Sequence, residues 1–408
     1  MNLYLPKLWR CLPLILATAL AVASSGCATR TKAEVQGGPL SGLNADELAM
    51  FSKCQEQFTH NFTVKEGLGP LFNEQSCFAC HGSPGTIGAP GANLEQTACT
   101  RIARRKPDSA AARLGKERAL TDVYAVDIDE MTQFGGPVIS RKSVTTEFPL
   151  LFTATAAIAP PPVPKQAEFV SRRQAGQLFG AGLLQAVPDS ELEAIAKLQR
   201  SSNPLVAGRC AALLNSFGEP NSYGRFGWKG QHSSLLNFSI EALQFEMGIT
   251  TPPDPQIKMP TGKGQAIPAL VAQLPANPEN DGSLACGLAY FMALLAPPPP
   301  APVSPAISAG EKVFDKLGCA VCHLPELKTA AKVMIPAADA KLPDVTALKK
   351  RYGELWYLQP EAKVRLVEVP AMENRKIKAY TDLLIHKMGP ALADGIPQGV
   401  GGGDYWRT

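Results

Sequence analysis

The chain is 408 residues long, with 40 Lys+Arg against 36 Asp+Glu for a net charge of +4. That length suits two or three domains, the near balance of charge argues against a nucleic-acid-binding protein, and 45% hydrophobic residues exclude a disordered chain. With 35 Gly and 36 Pro, much of the chain is expected in turns and loops, and ten cysteines direct attention to their spacing.

Lys7 and Arg10, the apolar run Leu12 to Val22 and the small-residue stretch Ala23 to Cys27 read as a secretory signal peptide over residues 1–26. Cys27 after Gly26 has the form of a bacterial lipoprotein cleavage site, which would lipidate its thiol, and plain signal cleavage is the alternative. No other segment has the roughly 20 apolar residues needed to cross a bilayer. The expectation is therefore a periplasmic protein held to a membrane only through an N-terminal lipid anchor, with its cysteines in an oxidising compartment.

Proline tracts at Pro160–Pro164 and Pro297–Pro305 act as connectors. They divide the mature chain into segments 27–158, 165–296 and 306–408. Asn44-Ala-Asp-Glu-Leu predicts a capped helix, and Pro188-Asp-Ser-Glu-Leu another, with Asp189 or Ser190 as the cap. Leu235 to Met247, Leu284 to Leu295 and Ser308 to Leu317 complete the helical set. Lys363 to Val369 is the best strand pattern. These elements predict a mainly α protein with long loops.

Cys77-Phe-Ala-Cys80-His81 and Cys319-Ala-Val-Cys322-His323 share the Cys-x-x-Cys-His pattern of c-type haem attachment. Two thiols at this spacing add to the vinyl groups of one macrocycle, and the adjacent histidine meets the iron. Chance predicts ~0.003 such motifs at this composition, so two are a strong signal. A thioredoxin-type pair would need a βαβ context, and a zinc site would need two further ligands nearby. The reading is two covalently bound haems c, held through Cys77, Cys80, Cys319 and Cys322, with His81 and His323 as iron ligands. Cys54, Cys99, Cys210 and Cys286 lie outside the motifs. Pairing within segments (Cys54 with Cys99, Cys210 with Cys286) is the simplest expectation after export, with buried free thiols as the alternative.

Gly67-Leu-Gly-Pro-Leu-Phe-Asn73 ahead of the first motif resembles the bacterial di-haem oxidoreductase family of peroxidase type. Gly182 to Asp189, Gly224 to Lys229, Glu246 to Thr250, Tyr380 to Gly389 and Leu392 to Gly395 follow in family order. By wider analogy the family is similar to the di-haem cytochrome c peroxidases and the methylamine-utilisation di-haem enzyme. The resemblance implies an all-α fold of two cytochrome c-like haem modules, residues 27–158 and 306–408, with the middle segment 165–296 packed on the first. It also implies that relatives continue beyond Thr408, so the C-terminal module is expected to be truncated.

The sixth ligand decides what each iron does. For the second haem the candidates are Met388, His386, Met334 and Met372, with Met388 favoured by its late position. His386 and Met388, two apart, would face different directions if helical. For the first haem His60, His232, Met131 and Met247 are open choices, as is a five-coordinate iron. Glu246 is the leading acid/base group for cleaving peroxide, and Trp228 the aromatic expected to pass electrons between haems. Arg101, Arg104, Arg105 and Lys106 fit haem propionates, an acidic electron donor or simply a solvated face. Two functions follow: a di-haem oxidoreductase with one electron-storing and one substrate-binding haem, or an electron-transfer cytochrome with no substrate of its own. A haem-linked component of iron uptake is a third. The partners expected are a small redox protein or quinone-linked donor, and peroxide.

Overall fold

The core forms where the apolar pattern is densest. In the computed structural model, helix α1 (Ala45–Thr59) is capped by Asn44 as read from the sequence, and Glu47 completes a capping box: Glu47 N–H donates to Asn44 Oδ1 at 2.9 Å, and Asn44 N–H donates to the Glu47 carboxylate at 2.7 Å. The structure describes residues 35–83, 85–91, 94–104, 136–213, 217–253 and 267–408. The leader with Cys27, Arg105, Lys106 and Met131 lies outside the described residues.

Helix α2 (Cys77–His81) is the first Cys-x-x-Cys-His motif itself. The three-stranded antiparallel sheet then pairs β1 (Ala98–Ala103) with β2 (Val138–Ile139) on one side and β3 (Phe169–Gln174) on the other. Helices α3 (Ala181–Gln185), α4 (Asp189–Ser202), α5 (Leu235–Met247) and α6 (Ser283–Ala293) follow. The residues of α6 from Ala285 to Ala293 are all buried, as an apolar helix requires. Phe291 on α6 meets Phe51 and Phe58 of α1 at 5.0 and 4.9 Å, and α5 packs on its other side. Gly182 in α3 lies so close to α6 that a Cβ there would fall 1.9 Å from the Ala293 carbonyl oxygen. The close packing expected of Gly180-Ala-Gly182 is realised at this contact.

The second proline tract ends inside helix α7 (Pro305–Lys316), whose first turn tolerates Pro305 because that N–H has no helical partner. The strand expected near Lys363–Val369 is the ribbon Leu366–Glu368 against Met334–Pro336. A last ribbon pairs β4 (Ile385–Lys387) with β5 (Tyr405–Arg407).

Three expectations are corrected. Among the described residues helix accounts for 37% and strand for 15%, so the fold is mixed and not the mainly α one expected. The strands escape a pattern search because most are two or three residues long, too short to show alternation. Asp189 does not cap α4. Its carboxylate instead accepts from the buried Arg225 guanidinium at 2.7 Å and from Ser222 N–H at 2.6 Å. Cys54, Cys99, Cys210 and Cys286 are all free thiols: Cys54, Cys99 and Cys286 are built into α1, β1 and α6, and Cys210 lies in a loop.

Candidate functional site

Ser76 accepts from Ala79 N–H at 3.3 Å and so starts α2. One helical turn then sets Cys77, Cys80 and His81 along a cavity of about 460 Å³, inside the range of roughly 300–1,000 Å³ for cofactor sites. Phe58, Phe226, Leu235 and Leu288 give it apolar walls, and Arg101, Arg173 and Arg407 line it with cations. His81 Nδ1 donates to the Gly176 carbonyl at 2.9 Å, which leaves Nε2 as the basic ring nitrogen. Burial brings the His81 pKa down to about 4 against the opposing pull of that carbonyl, so the ring is the neutral form that ligates metal. Burial pushes the Cys77 thiol up to about 12 and the Cys80 thiol up to about 11. Two thiols, a preset imidazole, apolar walls and cations for two propionates fit a haem.

Two of the three lining arginines come from the sheet. Cys99 stands opposite Arg173 across β1–β3, and Arg101 lies two residues on along the same face. Arg101 pairs with Glu241 of α5, which also takes His232. Burial alone would raise the Glu241 pKa, but Arg101 and His232 outweigh it and hold the carboxylate ionised. Glu246, one helical turn further along α5, also lines the cavity. Its side chain accepts from Asn73 Nδ2 at 2.6 Å, and its backbone carbonyl accepts from Asn73 N–H at 2.6 Å. Trp228 lines the cavity while 46% exposed, and meets Trp406 edge-on at 5.9 Å.

The second motif sits at the surface. Gly318 takes a left-handed φ of 75° that ends α7 and turns the chain into Cys319–Val321. His323 Nδ1 lies 3.2 Å from the Tyr380 carbonyl, the same arrangement as His81 with Gly176. Phe314 stands edge-on to Tyr380 at 5.7 Å. No residue of α7 is buried; Val313 is 54% and Leu317 72% exposed.

Cys322 Sγ lies 3.8 Å from His386 Nδ1, and Cys322, Asp382 and His386 form a tight group. His386 sits in β4, so the helical relation expected between it and Met388 is corrected: the backbone here is extended. Its Nδ1 donates to the Val206 carbonyl at 2.9 Å and its Nε2 to Asp382 Oδ2 at 2.9 Å, so both ring nitrogens are committed inside the protein. Burial pulls the His386 pKa down, but Asp382 and Val206 outweigh it, and the net displacement is upward.

Met388, just past β4, is 48% exposed. Met372 is fully buried in a core turn, and Met334 lies in the ribbon against Leu366–Glu368. Of the residues considered for the first haem, Met247 lines the cavity. His60 faces Glu66 at 2.8 Å on the surface, and His232 reaches the cavity only through Glu241. Arg101 is a partly buried partner of Glu241 rather than part of a solvated face.

Cys99, Glu241 and Met292 also line the cavity and were not read as site residues. Glu241, five residues before Glu246 on the same apolar helix, carried a usable signal. Met292 did not, because a methionine in an all-apolar helix reads only as core.

Residues 165–350 match the family model described as "Di-haem oxidoreductase, putative peroxidase". The match takes in the middle segment and the second Cys-x-x-Cys-His motif. No curated protein and no solved structure matches the chain.

Proposed function

We propose that this chain, a di-haem oxidoreductase over its matched residues 165–350, is an exported c-type enzyme of peroxidase type, tethered through lipidated Cys27. Cys77 and Cys80 would hold one haem with His81 as iron ligand. Cys319 and Cys322 would hold the other with His323, and Met388 is proposed as a further residue that would bind its iron. When bound, each haem supplies one-electron redox chemistry and an iron centre able to take a peroxide oxygen.

The observation that carries this reading is the cavity beside the first motif, where a neutral His81 and the Glu246 carboxylate share one enclosed space. Glu246 would take a proton from one peroxide oxygen and return it to the other, with Asn73 fixing the carboxylate for both transfers. Arg101, Arg173 and Arg407 would neutralise the propionates. Trp228, on the cavity wall and in ring contact with Trp406, would pass electrons from the second site. A small redox protein or quinone-linked donor would deliver those electrons at the exposed second motif.

Met247 and Met292 on the cavity wall favour a second reading, in which a thioether would bind the iron and the protein would only carry electrons. Spectra of the half-reduced protein, with and without peroxide or CO, separate the two. A high-spin haem that binds either ligand supports the enzyme, and two inert low-spin haems rule it out.

A further inference from the structure

Two tryptophans touch at the rim of the first cavity, and their surroundings differ sharply. Trp406 carries the Lys229 ammonium over its face, 3.6 Å from the ring centroid. The Arg173 guanidinium lies 5.6 Å from the same ring. Lys229 has no exposed side-chain surface, and its Nζ also meets Asp394 Oδ1 and the Gly403 carbonyl, each at 3.1 Å. Three N–H donors thus find three acceptors (a carboxylate, a carbonyl and a π face), which is the bonding pattern of a charged ammonium. Asp394 holds Arg173 as well, at 2.5 Å, so one carboxylate fixes both cations against Trp406. Among the described residues, no cation lies over the Trp228 ring.

A cation on a π face stabilises the electrons of that ring, the more so when water is excluded. Removing an electron then creates a positive charge beside two existing ones. We propose that Lys229, with Arg173, raises the oxidation potential of Trp406 so that an electron hole reaching this pair resides on Trp228. Trp228 gives up one electron to the oxidant and its indole proton to water, while Trp406 stays closed-shell. Lys229 is therefore a tuning residue for the direction of electron flow. This rests on the reading of Trp228 as a redox residue, and it adds which of the two rings is oxidised and why.

The test uses the haem-loaded protein and a photogenerated ruthenium(III) tris-bipyridine complex. The complex takes one electron from the protein, returns to ruthenium(II), and leaves the indole radical to combine with dioxygen. Peptide mass mapping reads oxygen uptake at each tryptophan. In the wild type, oxygenation falls on Trp228. Lys229→Met should raise the share at Trp406 about tenfold, and Lys229→Arg should leave it unchanged. A Lys229→Met protein that folds, as judged by circular dichroism, and keeps the wild-type ratio would overturn the proposal.

Trp228→Phe gives an independent arm that alters no buried charge. Trp406 should stay unmodified even as the remaining member of the pair, and oxidation of Trp406 at the rate seen for wild-type Trp228 would also refute the proposal. The ruthenium oxidant bypasses the haems, so a failure here leaves the peroxidase reading standing. Conversely, inert haems would not touch the bias between the rings.

Discussion

His386 and Trp406 stand directly opposite each other in the β4–β5 ribbon. His386 lies against Cys322 of the second motif, and Trp406 lies against Trp228 on the wall of the first cavity. One pair of hydrogen-bonded strands therefore touches both sites. If electrons cross here, Trp228→Phe should slow reoxidation of the second haem by peroxide without changing haem content, as read by rapid-mixing absorbance. Equal rates in the two proteins would remove Trp228 from the path.

Covalent attachment is checked by mass. Cys80→Ala should lose or loosen one haem, seen as a lower mass and weaker haem staining of the denatured band. Met388→Ala should abolish a methionine-ligated, high-potential step in a redox titration. An unaltered titration would transfer that role to another residue.

Asp394 compensates two buried cations, Arg173 and Lys229. Asp394→Ala would leave both inside without a counter-charge, which should cost about 3–5 kcal/mol. Denaturant unfolding measures this, and a loss below about 1 kcal/mol would show that water or another carboxylate replaces Asp394.

Glu219 provides a pH signature. Burial pushes its pKa from 4.5 up to about 7, despite the opposing hydrogen bond from Ser234. The folded protein thus holds a proton that the unfolded chain releases from 4.5 upward. Stability from this group is fully present below pH 4.5, falls as pH rises towards 7, and is level above that. Glu219→Gln should flatten this decline in the unfolding midpoint, and an unchanged slope would assign it to other groups.

Two glycine substitutions should act in opposite directions. Gly182→Ala would drive a Cβ into the Ala293 backbone and should cost about 1–3 kcal/mol or more. Gly310, mid-helix in α7 with open space around it, should tolerate alanine with a gain of about 0.5–1 kcal/mol. Thermal unfolding of both variants tests the contrast.

The helices were legible where capping and apolar spacing agree: Asn44 marked the start of α1, and Leu235 to Met247 matched α5 to the residue. The two Cys-x-x-Cys-His motifs stand out in the sequence because the attachment chemistry proposed for them needs thiols and imidazole at fixed local spacing. What the sequence concealed is non-local. Nothing near Cys99 announces that it faces Arg173 across a sheet, and nothing near His386 announces that the Val206 carbonyl, 180 residues away, occupies one of its nitrogens. Asp189 looked like a cap because its spacing fits one, and the buried guanidinium of Arg225 claimed it instead.

The two histidine–carbonyl bonds bear on the order in which the sites mature. His81 is oriented by a carbonyl 95 residues away, and His323 by one 57 residues away. The thiols beside each histidine need no such help, because two or three residues of chain hold them together. If these thiols attach a haem, that half of each site would be available in a chain that has not yet folded, whereas the orientation of each imidazole is set only when distant segments close. Ligand-field strength at each iron would then lag behind attachment during folding. The spin state of a freshly loaded chain would serve as a clock: high-spin or mixed while Gly176 and Tyr380 are out of place, settled once they arrive.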